Sequence, residues 1–98
     1  MDIVKQAVAG TLESSDLMVK VAPAADGRLE IVIASEVMQQ FGRRIRELAE
    51  ETLARLGVAT GVIEIEDKGA LDCAIRARIQ AAVMRGAECR EPDWSILA

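Results

Sequence analysis

Residues 7–21 have the sequence AVAGTLESSDLMVKV, and this stretch decides how the fold begins. Its second half alternates apolar residues with Met18 and Lys20, as expected for a half-buried strand; the apolar residues are Leu17, Val19 and Val21. Its first half also alternates, with one face formed by Val8, Gly10 and Leu12 and the other by Ala7, Ala9 and Thr11. The polar turn Glu13-Ser14-Ser15-Asp16 separates the halves, so the stretch predicts a hairpin of two antiparallel strands.

The next residues extend this hairpin. Alternation at residues 28–33 predicts a third strand, and the loop Pro23-Ala24-Ala25-Asp26-Gly27 predicts a second hairpin, so that the three strands form an antiparallel meander. Helical spacing then runs from about Glu36 to Leu56, with Ser35 as the N-cap and Gly57 just past the end. The apolar face of this first helix consists of Phe41, Ile45, Leu48, Thr52 and Leu56.

A fourth strand at residues 62–66 and a second helix from about Ala70 to Arg85, which Gly86 stops, complete the order βββαβα. The second helix has an apolar stripe made of Leu71, Ile75, Ile79, Ala82 and Val83. Ion pairs at i,i+4 spacing are expected in the two helices, Glu51 with Arg55 and Asp72 with Arg76. This pattern predicts a two-layer α+β sandwich, with an antiparallel or mixed sheet of about four strands and both helices on one face. We expect one domain at residues 1–86 and a loose tail at residues 87–98.

The composition excludes several classes of function. The 98 residues include 12 Lys+Arg and 16 Asp+Glu, which gives a net charge of −4, with one Trp, one Phe and no Tyr. Nucleic acid is therefore not an expected partner, because its binding needs a positive field and aromatic stacking platforms. The chain has no His, which removes the usual general base and the commonest metal ligand. We expect a protein that performs no catalysis itself.

The cysteine content and the lengths of the apolar runs indicate in which cellular compartment the protein is expected. Cys73 and Cys89 are too few for a disulfide framework and lack a metal-binding spacing, which predicts reduced thiols in a cytoplasmic protein. The start, Met1-Asp2-Ile3-Val4-Lys5, lacks the basic and apolar segments of a signal peptide. No apolar run approaches the roughly 20 residues of a membrane span, so we expect no membrane partner.

The turn Ser14-Ser15-Asp16 offers the most accessible candidate site. Ser and Asp are good turn formers, which by itself explains their presence. A hairpin tip also presents a hydroxyl to solvent, where another protein can modify it. Because the nearest basic residue along the chain is Lys20, neither serine is activated as a nucleophile, and an acceptor role is expected. On the residues alone, both Ser14 and Ser15 remain candidates.

Other reactive side chains give weaker signals. Cys73 lies beside the apolar stripe of the second helix, which predicts a small buried side chain. The acidic residues Glu64, Glu66 and Asp67 do not predict a metal site, because alternation places the two glutamates on one sheet face without further ligands. The helix arginines are expected mostly to face solvent in ion pairs; they are Arg43, Arg44, Arg46, Arg76, Arg78 and Arg85.

Three blocks of the sequence resemble one known family. They are AVAGTLESSDLMV at residues 7–19, QFGRRIR at residues 40–46 and DKGALDCAIRAR at residues 67–78. In this order they are similar to the acyl carrier protein (gamma) subunits of citrate lyase. The resemblance covers residues 1–85, and its most specific strings are GTLESSD and DKGALDC.

The resemblance implies a site and a cofactor. In that family the first serine of the Glu-Ser-Ser-Asp turn is the attachment point, which here is Ser14. The implied cofactor is 2′-(5″-phosphoribosyl)-3′-dephospho-CoA, bound covalently through a phosphodiester and installed by a dedicated prosthetic-group transferase. The implied partners are a CoA-transferase-type alpha subunit and a lyase-type beta subunit, which together cleave citrate to oxaloacetate and acetate. Metal dependence would belong to the lyase-type partner.

Two alternatives stay open beside this resemblance. The carrier subunit of malonate decarboxylase uses the same kind of arm, although the two specific strings favour citrate lyase. A small ligand-sensing or assembly domain without any covalent group is the third possibility. The fold of ordinary phosphopantetheine carriers is not expected, because those are four-helix bundles and this chain is rich in strands.

Overall fold

A computed structural model describes residues 1–35 and 38–87, with side chains outside 38–41. The elements are β1 (Ala7–Gly10), β2 (Leu17–Ala22), β3 (Leu29–Ser35), α1 (Met38–Arg55), β4 (Gly61–Asp67) and α2 (Asp72–Gly86). The predicted order βββαβα is confirmed. The tail predicted at residues 87–98, apart from Ala87, and the place predicted for the Phe41 side chain lie outside the described residues.

The four strands form one mixed sheet in the order β1-β2-β4-β3. β1 and β2 make the predicted antiparallel hairpin, with Ala9 opposite Val19. The predicted meander is wrong beyond this point, because β4 lies between β2 and β3, antiparallel to β2 and parallel to β3. The connection through α1 carries the chain back across the sheet, so β4 runs parallel to β3. The inner face of β4 is also the more deeply buried: Ile63 and Ile65 are fully buried, whereas Leu29 at the β3 edge is 39% exposed.

Both helices cover the same face of the sheet, as predicted, and the core lies between the two layers. The sheet contributes alternate residues from every strand: Ala9, Leu17, Val19, Val21, Ile33, Ile63 and Ile65. The helices contribute their apolar stripes: Ile45, Leu48, Ala49, Leu53, Leu56, Ile75, Ile79, Ala82 and Val83. On β1 the inner residue is the small Ala9, while Val8 is 45% exposed on the other face. A small inner side chain lets α2 lie close to the sheet at this edge.

The ends of the helices show where local prediction holds and where packing overrides it. α1 ends at Arg55, and Gly57 lies past its end as predicted, with a φ of 71°; the amide of Val58 donates to the Leu53 carbonyl at 2.9 Å. Gly86, predicted to stop α2, is instead its last helical residue. A side chain there would meet the core, since an added Cβ would lie 2.8 Å from Val21 Cγ2. Gly86 is thus required by close packing of α2 on β2.

Of the two ion pairs predicted within the helices, one is confirmed and the other is wrong. The predicted pair of Glu51 with Arg55 is present at 3.0 Å. Asp72, however, pairs with Arg44 of α1 at 2.8 Å and not with Arg76. Once the two helices lie side by side, a partner on the neighbouring helix is available to Asp72, and spacing along α2 cannot show it.

Candidate functional site

The loop between β1 and β2, residues 11–16, has Ser14 and Ser15 at its tip. The amide of Asp16 donates to the carbonyl of Glu13 at 3.2 Å, so that the two serines occupy the centre of a tight turn. Ser15 has a φ of 64°, the only positive φ of a non-glycine residue in the described chain. A side chain in this left-handed region is strained, and such strain concentrates at functional loops.

The backbone of this loop is held on two sides. The amide of Thr11 donates to the Leu17 carbonyl at 3.1 Å, which closes the hairpin. The amide of Ser15 donates to the Lys68 carbonyl at 2.8 Å, and the amide of Lys68 donates to the Asp16 carbonyl at 2.9 Å. These two bonds continue the β2–β4 pairing one residue beyond Asp67. The tip is therefore anchored to the strand in the middle of the sheet.

The carboxylate of Asp16 fixes the base of the loop. It accepts from the Thr11 hydroxyl at 2.6 Å and from the Leu17 amide at 2.8 Å. Arg78 of α2 donates to both carboxylate oxygens, from Nε at 3.3 Å and from a terminal nitrogen at 3.1 Å. The Asp16 side chain is only 19% exposed, so it faces inward and holds the loop against α2.

These contacts make the stability of the loop depend on pH. The hydroxyl of Thr11, the amide of Leu17 and the guanidinium of Arg78 lower the pKa of Asp16 from 3.8 to about 2. A carboxyl group whose pKa falls on folding stabilises the protein fully above its unfolded pKa, and this contribution is lost as the pH falls through the folded value. We expect the loss of unfolding free energy on Asp16→Asn to be largest well above pH 3.8 and to shrink as the pH approaches 2. Denaturant unfolding of both proteins over this range measures it; a difference that does not vary with pH would contradict it.

Gly10 lets the two strands approach each other at the base of the loop. Its φ is 96°, and an added Cβ would lie 1.9 Å from the Leu17 carbonyl oxygen and 3.3 Å from Cδ of Arg78. The Leu17 carbonyl is the acceptor for Thr11, so the contact that excludes a side chain is also the one that closes the loop. Only glycine fits this place without strain.

Ser14 stands apart from these contacts. Its side chain is exposed, and among the residues that the structure describes nothing is hydrogen-bonded to its hydroxyl. The exposed tip was predictable from the sequence, in which Lys20 is the nearest basic residue. The contacts of the Arg78 side chain and of the Lys68 backbone with this loop were not. Arg78 is 62 positions from Asp16, and no local pattern signals that contact.

Other predicted features have mixed outcomes. Cys73 is exposed, so the prediction that it is buried is wrong. It lies two residues before the buried Ile75, and a helix turns about 100° per residue, which places it away from the core. Cys89 lies outside the described residues.

The two glutamates of β4 face away from the helices. Glu64 is exposed and Glu66 is half-buried, both on the outer sheet face. No three Cys, Asp or Glu side chains of the described segments lie close enough to share a metal ion.

Most of the helix arginines are exposed, as expected, but two of the exposed ones also bind the backbone of the sheet. Arg46 donates to the Ile31 carbonyl of β3 at 3.1 Å, and Arg85 donates to the Val8 carbonyl of β1 at 2.7 Å. Together with Arg78, which binds the loop, these side chains tie the helices to the edges of the sheet.

In the described ranges, no helix is both long and apolar enough to cross a membrane.

Comparison with known proteins places this chain in a family. A sequence profile described as "Malonate decarboxylase delta subunit (MdcD)" matches residues 4–86. A solved chain in a Pseudomonas malonate decarboxylase hetero-tetramer in complex with malonate is similar in structure, with a TM-score of 0.74 and 25% identity over 85% of this chain and 84% of that one.

Two relatives are much closer in sequence. The citrate lyase acyl carrier protein of Enterobacter sp. (strain 638) is 64% identical over 97% of both chains. That of Pectobacterium carotovorum subsp. carotovorum (strain PC1) is 59% identical over 99% of this chain and 100% of its own. The chain belongs to the citrate lyase acyl carrier protein family.

Proposed function

We propose that this chain is the acyl carrier subunit of a cytoplasmic citrate lyase and that Ser14 bears a phosphoribosyl-dephospho-CoA group through a phosphodiester bond. The observation that carries the proposal is the exposed Ser14 hydroxyl, which has no partner in the described chain and lies on a loop whose backbone and Asp16 carboxylate are held in place. Family membership supports a carrier role for the chain, because the matching relatives are named acyl carrier proteins.

The residues around Ser14 fit a bulky anionic substituent. The Asp16 carboxylate faces Arg78 and the Leu17 amide, so its charge is already compensated and is not directed at a phosphodiester on Ser14. The bond from the Ser15 amide to the Lys68 carbonyl, and that from the Lys68 amide to the Asp16 carbonyl, keep the backbone in place when the Ser14 side chain is modified. Ser14 can therefore accept the group without rearrangement of the loop.

The bound group would supply a thiol that holds acetyl or citryl as a thioester. The protein itself presents that group on a rigid base. Tethering raises the effective concentration of the acyl group at a partner active site without any new contact with the body of the carrier. A chain without His can serve citrate cleavage in this way, because binding and chemistry take place on the partners.

The partners we propose are a CoA-transferase-type alpha subunit and a lyase-type beta subunit, together with a transferase that loads Ser14. The similar fold in a malonate decarboxylase hetero-tetramer supports function within a multi-subunit assembly. That solved chain is only 25% identical, whereas the citrate lyase carriers are 59–64% identical, so citrate lyase is favoured over malonate decarboxylase.

Intact-mass analysis of the full chain from its own host tests the proposal. We expect the mass of the chain plus the phosphoribosyl-dephospho-CoA group, and peptide mapping should place the addition on residue 14. A chain of unmodified mass, purified from cells in which citrate cleavage is active, would favour a domain without a covalent group and contradict the proposal.

A further inference from the structure

An open groove lies between the start of α2 and the side of α1. Its volume is about 650 Å³, within the range of about 300–1,000 Å³ common for small-molecule sites. Its walls include the apolar side chains of Ile45, Ala70, Leu71 and Ile75 and the thiol of Cys73. Its polar part consists of the Arg44–Asp72 ion pair and Asp67, whose carboxylate accepts from the Ser35 hydroxyl and the Ala70 amide.

Leu71 shows that this groove is unusual for a surface. Predicted to belong to the apolar stripe of α2, it instead precedes the helix as its N-cap residue and is 74% exposed, more than any other large apolar side chain in the described ranges. Ile45 and Ile75, which also line the groove, are 3% and 2% exposed, so Leu71 supplies most of the exposed apolar surface of the groove.

The groove adjoins the loop that bears Ser14. Asp67, Gly69 and Ala70 line it, and Lys68 between them is the residue bonded to Ser15 and Asp16. Leu71 is three residues from Lys68, a path of at most about 11 Å along the chain. Ser14 adjoins Ser15, whose amide nitrogen lies 2.8 Å from the Lys68 carbonyl oxygen, so an extended phosphopantetheine-like arm on Ser14 can cover both steps and enter the groove.

We propose that the groove holds the thiol-bearing end of the arm on Ser14 while the carrier is not engaged with a partner active site. This inference rests on the proposed function. The apolar walls suit the methyl and methylene groups of such an arm and its acyl thioester. Arg44 offers donors, and Asp72 offers acceptors, to the amides along the arm.

The position of the attachment point argues for the arm over a separate partner protein as the occupant. A group tethered beside the groove meets it at an effective concentration that a free molecule does not reach, so weak apolar contacts suffice. Docking of this kind would protect a thioester from solvent and would be readily reversed when a partner binds the carrier.

Alkylation of Cys73 measures occupancy of the groove, because this thiol is exposed and lines one wall. The full chain is isolated loaded from its host, and as the Ser14→Ala protein, and each is treated with iodoacetamide. Peptide mass spectrometry then follows the Cys73 peptide separately from the arm. We expect alkylation of Cys73 to be about fivefold slower in the loaded chain than in Ser14→Ala, given the tethered concentration.

Two variants make the test specific. Leu71→Gln should remove most of the protection in the loaded chain. Val4→Gln, which changes another exposed aliphatic residue (59% exposed), should keep it, because Val4 is bonded to Gly86 at the opposite end of α2.

The outcomes separate this inference from the proposed function. If peptide mapping finds the group on Ser14 but Cys73 reacts as fast as in Ser14→Ala, the groove is not the resting place of the arm, and the carrier function stands. Loss of protection in both variants, or in neither, would also refute a specific role for the groove. If Ser14 carries no group, both proposals are refuted.

Discussion

Replacing Ser14 by alanine is expected to abolish covalent loading and, with it, citrate cleavage by the reconstituted complex. The hydroxyl is the proposed acceptor, and alanine offers no oxygen for a phosphodiester. Because Ser14 is exposed and has no partner in the described chain, the free energy of unfolding should change by no more than about 0.5 kcal/mol. Intact mass, turnover and denaturant unfolding measure the three effects.

The neighbouring serine provides the matched control. Ser15 has a φ of 64°, so Ser15→Ala would keep an L side chain in a strained conformation, whereas Ser15→Gly relieves it. We therefore expect Ser15→Gly to be loaded normally and to remain as stable as the unaltered chain. Loading of Ser14→Ala together with failure of Ser15→Gly would move the attachment point to Ser15, which the sequence by its residues alone left open.

Substitution of Gly10 by alanine should have the largest effect on stability. Its Cβ would lie 1.9 Å from the Leu17 carbonyl oxygen, so β1 and β2 would have to separate and the bond from Thr11 to that carbonyl would break. The positive φ costs about 1–2 kcal/mol for a residue with a Cβ, and forced overpacking about 1–3 kcal/mol more. We expect a loss of about 3 kcal/mol in unfolding free energy, measured by denaturant titration.

A Gly27→Ala variant separates the cost of the positive φ from the cost of the steric clash. Gly27 also has a positive φ, 74°, but no described atom lies within 4 Å of an added Cβ. Gly27→Ala should therefore show only the conformational cost, about 1 kcal/mol. Equal losses for the two variants would mean that the close approach of Leu17 does not matter. A loss confined to Gly10→Ala with reduced loading of Ser14 would show that the strand contact also shapes the acceptor loop.

Much of the fold follows from local patterns in the sequence. Alternation in β2 and β4 correctly identifies the buried residues, since adjacent side chains of a strand lie on opposite faces of the sheet. The end of α1 just before Gly57 and the pair of Glu51 with Arg55 follow from short-range geometry. The exposed loop with Ser14 at its tip was likewise predictable, because polar turn residues between two strands have no core to enter.

What depends on long-range packing was not predictable from those patterns. The insertion of β4 between β2 and β3, the contact of Arg78 with Asp16, and the ion pair of Asp72 with Arg44 all join residues distant in sequence. The exposure of Leu71 follows from the start of α2 at Asp72, which leaves Leu71 before the helix as its N-cap residue.

The sequence by itself thus determined the element order, the inner faces and the position of the acceptor turn, because side-chain periodicity and turn chemistry act over a few residues. Only the tertiary structure decided the strand order, the inward orientation of Asp16 and the groove beside the loop. Those features arise where the four strands and the two helices come together, and such contacts have no period along the chain.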